Sequence, residues 1–293
     1  MAYAKYFLTE TKPRINRKEV KSIIKRALSE DIGRGDITSK LSIPKDVSIK
    51  AKIIAKEDFL VCGLDLAGDV FKTVDPSLKF KPKAKEGGQV FNKHTLAIIS
   101  GKAGSILTAE RVALNFLSLL SGIATKTSKF VKKIEPFKTK ITDTRKTIAG
   151  LRGLQKYAVR IGSGYNHRMR LDEMVLIKDN HLKIMRGYSG LSRIPKGCKI
   201  EIETQNLKEF IRALSFKPDI IMLDNMKIRD IQKAVKIRNN LRSNCRSCLT
   251  WLEASGGIHL GNVKKYAATG VDMISIGELT DSVDSVDISL EVL

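Results

Sequence analysis

The sequence of 293 residues has few cysteines and few aromatic residues, and it contains no long apolar run. Four cysteines do not make a disulfide scaffold. The single Cys245-x-x-Cys248 motif has no second ligand pair, which favours reduced thiols over a zinc site. No apolar stretch approaches the ~18 residues of a membrane span, and residues 1–17 lack the pattern of a secretion signal. We therefore expect a cytoplasmic protein with no membrane partner.

Acidic residues are also scarce: 31 Asp and Glu face 53 Lys and Arg, a net charge of +22. Such an excess suits nucleic acid, an anionic membrane or an anionic small substrate. Aromatic residues make up only 6% of the chain and do not interleave with the basic stretches at 79–85 and 227–246. Stacking platforms for bases are therefore poorly supported. We interpret most of this charge as solvated surface, with a basic nucleic-acid-binding protein as a remote alternative.

The N-terminal part of the sequence predicts a small mixed domain. Asn16 precedes apolar residues at helical spacing from Val20 to Leu28, and Gly33 follows, which predicts a capped amphipathic helix. Between residues 47 and 100, short β-type runs alternate with turn signals, a pattern typical of an antiparallel sheet.

A long helix and a series of βα units are predicted next. The helix follows Gly104, and Arg111 lies off its apolar stripe. Beyond residue 140, β-type runs alternate with helical segments, which indicates parallel strands. The predicted strands are Lys140–Thr144, Met174–Ile177, Lys199–Ile202, Asp219–Leu223, Leu249–Leu252 and Val271–Ile276. Ionisable residues or glycines follow nearly every run, which favours a βα barrel over a doubly wound sheet. The segment is shorter than the ~200 residues of a small complete barrel, so we predict an incomplete one.

Three groups of residues at these strand ends carry the chemistry. The first is basic and comprises Arg111, Arg145, Lys146, His167, Arg168 and Lys178. Converging cations make sense where a multiply anionic ligand fills the site, since arginine binds carboxylates or phosphates in a bidentate way. For part of this group, and for His167 taken alone, a surface or structural role is the alternative.

The other two groups are acidic and glycine-rich. Glu203 and Asp224 each end a strand and could hold Mg²⁺ together with substrate phosphates, the alternative being structural salt bridges. Ser255-Gly256-Gly257 and Gly277 follow the last two strands, where barrels often bind phosphate through backbone N–H groups. The residues alone thus indicate a barrel enzyme for a small phosphate-bearing polyanion with Mg²⁺.

Ordered motifs along the chain resemble the quinolinate phosphoribosyltransferase family of type II phosphoribosyltransferases. The matching segments, between about Leu28 and Leu290, are residues 30–38, 109–117, 121–125, 143–147, 166–168, 175–181, 201–203, 222–225, 253–258 and 276–277. The resemblance implies an N-terminal α/β sandwich domain at 1–112, an incomplete (β/α) TIM-like barrel at 113–279, and a tail at 280–293 that returns to the first domain. It also implies at least a homodimer.

The reaction implied by the resemblance joins quinolinate to 5-phosphoribosyl diphosphate, with Mg²⁺, in de novo NAD biosynthesis. Its products are nicotinate mononucleotide, CO₂ and pyrophosphate. The implied quinolinate ligands are Arg111 from the neighbouring subunit, Thr144, Arg145, His167, Arg168 and Lys178. The implied ligands of phosphoribosyl diphosphate and its metal are Lys146, Glu203, Asp224, Ser255, Gly256, Gly257 and Gly277. Catalytic roles would belong to Lys146, Lys178, Glu203 and Asp224, and no general base is assigned.

Two positions depart from the family pattern. Tyr165 stands where the family commonly has histidine, and Ala149 lies where it commonly has proline. Tyrosine still donates a hydrogen bond but carries no charge near neutral pH. The alternative enzyme is a phosphoribosyltransferase of the same fold that uses another pyridine carboxylate, such as nicotinate.

Overall fold

The computed structural model describes residues 16–244 and 250–293, so the predicted Cys245 and Cys248 pair lies outside the described residues. The described residues divide into two compact units. The N-terminal unit contains residues 16–128, 147–163 and 279–293. The barrel unit contains residues 129–146 and 164–278, without 245–249.

An antiparallel sheet forms the framework of the N-terminal unit. Its four strands within the described residues have the order β12-β1-β5-β3. They are β1 (Ser48–Ala55), β3 (Lys79–Pro82), β5 (Thr95–Lys102) and β12 (Ile288–Val292). The short strands β2 (Phe59–Leu60) and β4 (Gln89–Val90) pair separately. The C-terminal tail therefore supplies an edge strand, since β12 pairs with β1 from Ala51 to Ala55.

Helices complete this unit: α1 (Arg17–Ile32), α2 (Ile37–Ser42), α3 (Leu64–Val74), α4 (Ala103–Lys133, to residue 128) and α5 (Arg152–Ile161). The side chain of Asn16 accepts hydrogen bonds from the first turn of α1, and Gly33 ends the helix at a φ of +54°, as its position predicts. The pattern of residues 47–100 predicts strands and turns, and it does not predict helix α3. Its apolar residues Leu64, Ala67 and Phe71 recur at helical spacing and are buried.

Helix α4 is the longest helix of the described chain, with 31 residues. By length and composition it could cross a membrane, but 61% of its most apolar window is buried inside the protein. This burial is that of a core helix. Ala109, Val112 and Phe116 lie on the buried stripe, whereas Arg111 is exposed, as its position off the stripe predicts.

The barrel unit is a series of βα units with a parallel sheet. Its strands are β6 (Lys140–Thr142), β7 (Val175–Ile177), β8 (Ile200–Thr204), β9 (Ile220–Asp224), β10 (Trp251–Ser255) and β11 (Met273–Ser275). Its helices are α6 (Asp179–Ile184), α7 (Leu207–Leu214), α8 (Ile228–Asn244) and α9 (Val263–Ala267), with 3₁₀ turns at Ser189–Arg193 and Gly277–Leu279. All six predicted strands are present, and their ends differ from the predicted ones by at most three residues; the predicted start at Leu249 lies outside the described residues.

The order of the strands is that of an incomplete barrel. Among the described residues the sheet runs β6-β11-β10-β9-β8-β7. The last strand of this unit, β11, therefore returns to pair with its first strand, β6. Beyond β6, Tyr165 forms a one-residue parallel bridge with Thr142, on the side left open between β6 and β7. The predicted TIM-like, incomplete barrel is thus confirmed, with the opening beside β7.

An apolar cluster, here called the apolar floor, lies near the amino ends of the parallel strands. Met174, Ile220 and Met273 are buried together, and Tyr165 and Trp251 pack against them. Tyr165, which departs from the family pattern, is thus part of this floor, and Lys140 Nζ lies 5.3 Å from its ring centre. Alternate residues of a strand share a face. Met222 and Asp224 therefore lie on the same face as Ile220, and Glu253 and Ser255 on the same face as Trp251, nearer the carboxyl ends of the strands.

The residue ranges of the two compact units differ from those of the predicted domains at 1–112 and 113–279. Helix α4 stays with the N-terminal unit to residue 128, because its apolar stripe continues beyond residue 112 to Leu117, Leu120 and Ile123. The segment 147–163 with α5 also belongs to the N-terminal unit, where Gln155 donates a hydrogen bond to the carbonyl of Thr280 at 2.9 Å.

Candidate active site

The carboxyl ends of three adjacent strands bring the acidic and glycine groups to one edge of the sheet. Strands β8, β9 and β10 are neighbours, and Asp224 is in register with Ser255. Glu203, Asp224 and Ser255 are the last or next-to-last residues of their strands rather than the residues after them. Parallel strands thus gather these three side chains at the same mouth of the barrel.

A buried carboxylate, Asp143, fixes the loop that carries the histidine and an arginine. It follows β6, is fully buried, and accepts hydrogen bonds from Asn166 Nδ2 at 2.5 Å and from the backbone N–H of His167 at 2.9 Å. The loop from 165 to 168 is therefore tied to the end of β6. Asp143 and Asn166 lie in two of the family-like segments, 143–147 and 166–168, but neither has a predicted role.

Two guanidinium groups converge in this part of the barrel unit. Burial, and then the nearby charge of Arg145, lower the pKa of Arg168, while Glu201 opposes the shift. Arg168 Nη1 donates to the carbonyl of Met174 at 2.8 Å. Its buried Nε has no hydrogen-bond acceptor among the described residues. A pair of cations with such a donor is a site for an anion.

Lys178 and Glu203 form an ion pair at the ends of β7 and β8. Lys178 Nζ lies 2.9 Å from Glu203 Oε2, with the lysine side chain 48% exposed and the glutamate 8% exposed. Lys178 directly precedes α6, and its backbone N–H donates to His181 Nδ1. The salt bridge that is the alternative role for Glu203 is therefore present, but its partner Lys178 is itself a predicted site residue.

His167 belongs to a buried group that sequence reasoning missed. Its Nε2 lies 3.0 Å from Glu201 Oε2 and 3.5 Å from Glu253 Oε2, and both glutamates are fully buried. Its Nδ1 accepts the backbone N–H of Arg168 at 2.8 Å, so both ring nitrogens are engaged within the chain. Glu201 and Glu253 each precede a predicted site residue by two positions, and the alternation of a strand was the available signal.

Asn225 is a second residue without a predicted role. It adopts a φ of +54°, donates its backbone N–H to the carbonyl of Ser255 at 2.9 Å, and donates Nδ2 to Asp224 Oδ2 at 2.8 Å. A Cβ at Gly256 would collide with the amide group of Asn225. Asn225 thus links the carboxylate of Asp224 to the glycine turn, which explains why residue 256 has no side chain.

The remaining predicted residues of the barrel unit lie at the same strand ends. Thr144 Oγ1 accepts the backbone N–H of Lys146 at 3.0 Å, and Lys146 is exposed. Gly257 has a φ of +60° and open space around it, and Gly277 begins a 3₁₀ turn after β11. Arg111 is different, because it is an exposed residue of the N-terminal unit.

The carboxylates of this site suit a hard divalent cation. Glu203 and Asp224 supply oxygen ligands at neighbouring strand ends, the donor type that Mg²⁺ prefers when substrate phosphates complete its shell. The ligand atoms of His167, Glu201 and Glu253 also lie within 4.8 Å of one another. In that group, however, the Arg168 guanidinium already supplies positive charge beside Glu201.

Comparison with known protein families covers both parts of the chain. Residues 36–121 match the quinolinate phosphoribosyl transferase N-terminal domain, and residues 123–291 match the quinolinate phosphoribosyl transferase C-terminal domain.

Individual relatives match over nearly the whole chain. A probable nicotinate-nucleotide pyrophosphorylase [carboxylating] of Methanocaldococcus jannaschii is 42% identical, covering 92% of this chain and 96% of its own. The corresponding protein of Synechocystis is 40% identical, with coverages of 91% and 90%. The solved structure of the nicotinate-nucleotide pyrophosphorylase from Francisella tularensis is 38% identical, covers 97% of this chain and 100% of its own, and superposes with a TM-score of 0.88.

Proposed function

Because the chain belongs to the quinolinate phosphoribosyltransferase family, we propose that its barrel joins quinolinate to 5-phosphoribosyl diphosphate. The products are nicotinate mononucleotide, CO₂ and pyrophosphate, in the biosynthesis of NAD. The observation that carries this proposal is the convergence of Arg145 and Arg168, which burial makes unfavourable until a multiply anionic ligand enters.

Binding of the aromatic diacid follows from the cationic groups. Arg145 and Arg168 present planar donors to the two carboxylates, and Lys178 adds a point charge that its partner Glu203 shares. Each charge-assisted hydrogen bond contributes about 1.5–3 kcal/mol. Thr144, which orders the turn before Lys146, and His167, which orders the backbone of Arg168, complete the pocket.

Binding of the second substrate is assigned to the acidic and glycine groups. Backbone N–H groups of the turn at Ser255, Gly256 and Gly257 can approach phosphate closely, as can that of Gly277. Glu203 and Asp224 would hold Mg²⁺, which supplies charge stabilisation to the departing pyrophosphate. Lys146 is exposed at the barrel mouth, where its ammonium offsets negative charge on the same leaving group.

The first step of the reaction depends on how the pyridine ring is oriented toward the sugar, and it needs no general base. The pyridine nitrogen forms a bond to the sugar carbon as the bond to pyrophosphate breaks. Fixing both carboxylates of the ring aligns that nitrogen with the sugar. The nitrogen is then cationic, and it stabilises the electron pair that stays on carbon 2 when CO₂ leaves.

The assembly and location are part of the same proposal. We propose a homodimer in which the exposed Arg111 of one subunit completes the quinolinate pocket of the other. We also propose that the enzyme acts in the cytoplasm, in keeping with the free thiols of Cys62 and Cys198.

A two-substrate product assay tests the proposal. Purified protein is supplied with phosphoribosyl diphosphate and Mg²⁺, together with either quinolinate or nicotinate, and CO₂ and mononucleotide are measured. We expect CO₂ release and nicotinate mononucleotide from quinolinate only. Turnover of nicotinate alone would instead assign the chain to the rival phosphoribosyltransferase reaction.

A further inference from the structure

A buried acid cluster lies inside the barrel unit below the proposed substrate pocket. It consists of Glu201, Glu253 and the imidazole of His167, and both glutamates are fully buried. Apart from that imidazole and the hydroxyl of Ser275 beside Glu253, the four carboxyl oxygens have no hydrogen-bond donor in the described part of the chain. Two buried carboxylates with so few donors are unfavourable unless one of them carries a proton.

The histidine offers this cluster a single proton. Its Nδ1 accepts the backbone N–H of Arg168 at 2.8 Å. Its Nε2 faces the two carboxyl groups at 3.0 and 3.5 Å, so only one ring nitrogen is available to them. One imidazole does not balance two negative charges.

The two glutamates have different surroundings. Glu201 faces the guanidinium of Arg168, which favours its negative charge. Glu253 faces Glu201 and Asp143, whose charges raise its pKa, and His167 and the hydroxyl of Ser275, which lower it by less. Burial, followed by the charge of Glu201, raises the pKa of Glu253 to about 7. Of the two carboxyl groups, Glu253 is therefore the one that carries a proton.

The proposed reaction requires one proton at a defined atom. When the bond between carbon 2 and its carboxylate breaks, CO₂ leaves and the electron pair stays on carbon 2. That pair must then form a carbon–hydrogen bond. Arginine and lysine side chains are reluctant donors because their pKa values lie far above neutrality. An acid with a pKa close to ambient pH is better suited.

Resting on the proposed function, we infer that Glu253 supplies the proton that replaces the lost carboxylate at carbon 2. The carboxyl group of Glu253 becomes a carboxylate in this step and regains its proton from water. Glu253 precedes Ser255 by two residues on β10, and Glu201 precedes Glu203 by two residues on β8. The cluster thus lies one side-chain layer, about 6–7 Å along the strand, below the pocket. One water can bridge that step.

The test compares Glu253→Gln, Glu253→Asp and Glu201→Gln with the wild type. The first readout is the pH dependence of kcat for CO₂ release from quinolinate. In the wild type, kcat falls as pH rises through about 7, as Glu253 loses its proton. In Glu253→Gln, kcat falls by about tenfold or more, and the decrease of kcat with rising pH, here called the pH limb, disappears. Glu253→Asp restores a limb, and Glu201→Gln moves it to lower pH because a repelling charge is gone.

The second readout is the ratio of hydrogen to deuterium at carbon 2 of the product formed in an equal mixture of H₂O and D₂O. This ratio reports the donor even where protonation does not limit the rate, and it should change in Glu253→Gln. A folded Glu253→Gln enzyme with the wild-type pH limb and the wild-type ratio would overturn the inference. If Glu253→Gln does not fold, an unshifted limb in Glu201→Gln overturns it. Absence of CO₂ release by the wild type contradicts the proposed function instead.

Discussion

Lys178 Nζ lies 2.9 Å from Oε2 of Glu203, so a side chain proposed to bind quinolinate is paired with one proposed to bind the metal. Strands β7 and β8 are neighbours, and the pair joins their carboxyl ends. The two substrates of the proposed reaction therefore meet at one ion pair. A change in either residue is expected to affect the binding of both substrates.

Replacing Lys178 with alanine should raise KM for quinolinate about ten- to hundredfold, since one charge-assisted hydrogen bond is lost. The free energy of unfolding should fall by about 1 kcal/mol or less, because the lysine is 48% exposed and solvent screens the pair. Steady-state kinetics and urea unfolding measure these quantities. Lys183→Ala is the matched control, since it removes the exposed ion pair with Asp179 on α6. Wild-type kinetics in Lys178→Ala would contradict the site.

Much of the fold could be predicted from sequence because its signals are local. The cap at Asn16, the apolar stripe of α4 and the six β-type runs each follow from spacing alone. Helix α3 was missed because it lies among strands and is only 11 residues long. The inclusion of 147–163 in the N-terminal unit was missed as well, because contacts such as that between Gln155 and Thr280 join residues 125 positions apart.

The site was predictable to the extent that strand ends mark a barrel mouth. Glu203, Asp224 and Ser255 lie there because parallel strands place their carboxyl ends together. Glu201 and Glu253 could not be assigned in the same way. Strand alternation indicates that they share a face with Glu203 and Ser255, but it does not indicate how deeply they are buried or which groups they contact. Both glutamates face His167, and Asp143 holds the loop that carries this histidine. That contact joins distant parts of the sequence.

Gly256→Ala should raise KM for phosphoribosyl diphosphate by about tenfold or more, because its φ of +91° is strained for alanine and the new Cβ collides with Asn225. Gly257→Ala has a φ of +60° and no atom within 4 Å of the new Cβ. It should therefore lose less affinity than Gly256→Ala. Isothermal titration with phosphoribosyl diphosphate measures both. Equal losses would show that the contact with Asn225 does not matter.

Arg111→Ala should lose quinolinate affinity without losing stability, since Arg111 is exposed on α4. Mixing it with Lys178→Ala tests whether the arginine crosses a subunit interface. If each pocket takes Arg111 from one subunit and Lys178 from the other, a mixed dimer regains one intact pocket. Equal amounts of the two variants, after exchange of subunits, should then recover about a quarter of wild-type activity. No recovery, with exchange verified, would place both residues in the same subunit's pocket or outside it.

Removal of Mg²⁺ by a chelator should abolish CO₂ release, and added Mg²⁺ should restore it. Glu203→Gln and Asp224→Asn should each weaken the Mg²⁺-dependent binding of phosphoribosyl diphosphate by about tenfold or more, measured by titration calorimetry. Glu291→Gln is the control, because that carboxylate pairs with Lys52 and Lys56 in the N-terminal sheet. Binding that is indifferent to Mg²⁺ would contradict the proposed metal site.

The stability of the protein should depend on the protonation of Glu253. Its pKa is about 7 in the folded chain, against an ordinary value of 4.5. A raised pKa gives stability that is fully present below the unfolded value and is lost as pH rises through the folded value. The difference between these two pKa values corresponds to about 3 kcal/mol. Acids with a lowered pKa, such as Asp36 and Asp75, titrate below this range and do not contribute to it.

Urea unfolding between pH 5 and pH 8 measures this effect as a difference between the wild type and Glu253→Gln. Glutamine has nearly the shape of the protonated acid and does not ionise, so the variant lacks the contribution of residue 253 to the pH dependence of unfolding. Between pH 5 and pH 8 the wild type should lose about 2–3 kcal/mol relative to the variant. The loss is steepest between about pH 5 and pH 7, where the unfolded chain has released the proton and the folded chain still holds it. Other titrating groups are common to both proteins and cancel in the difference. Parallel curves for the two proteins would mean that Glu253 is already ionised in the folded chain at pH 5.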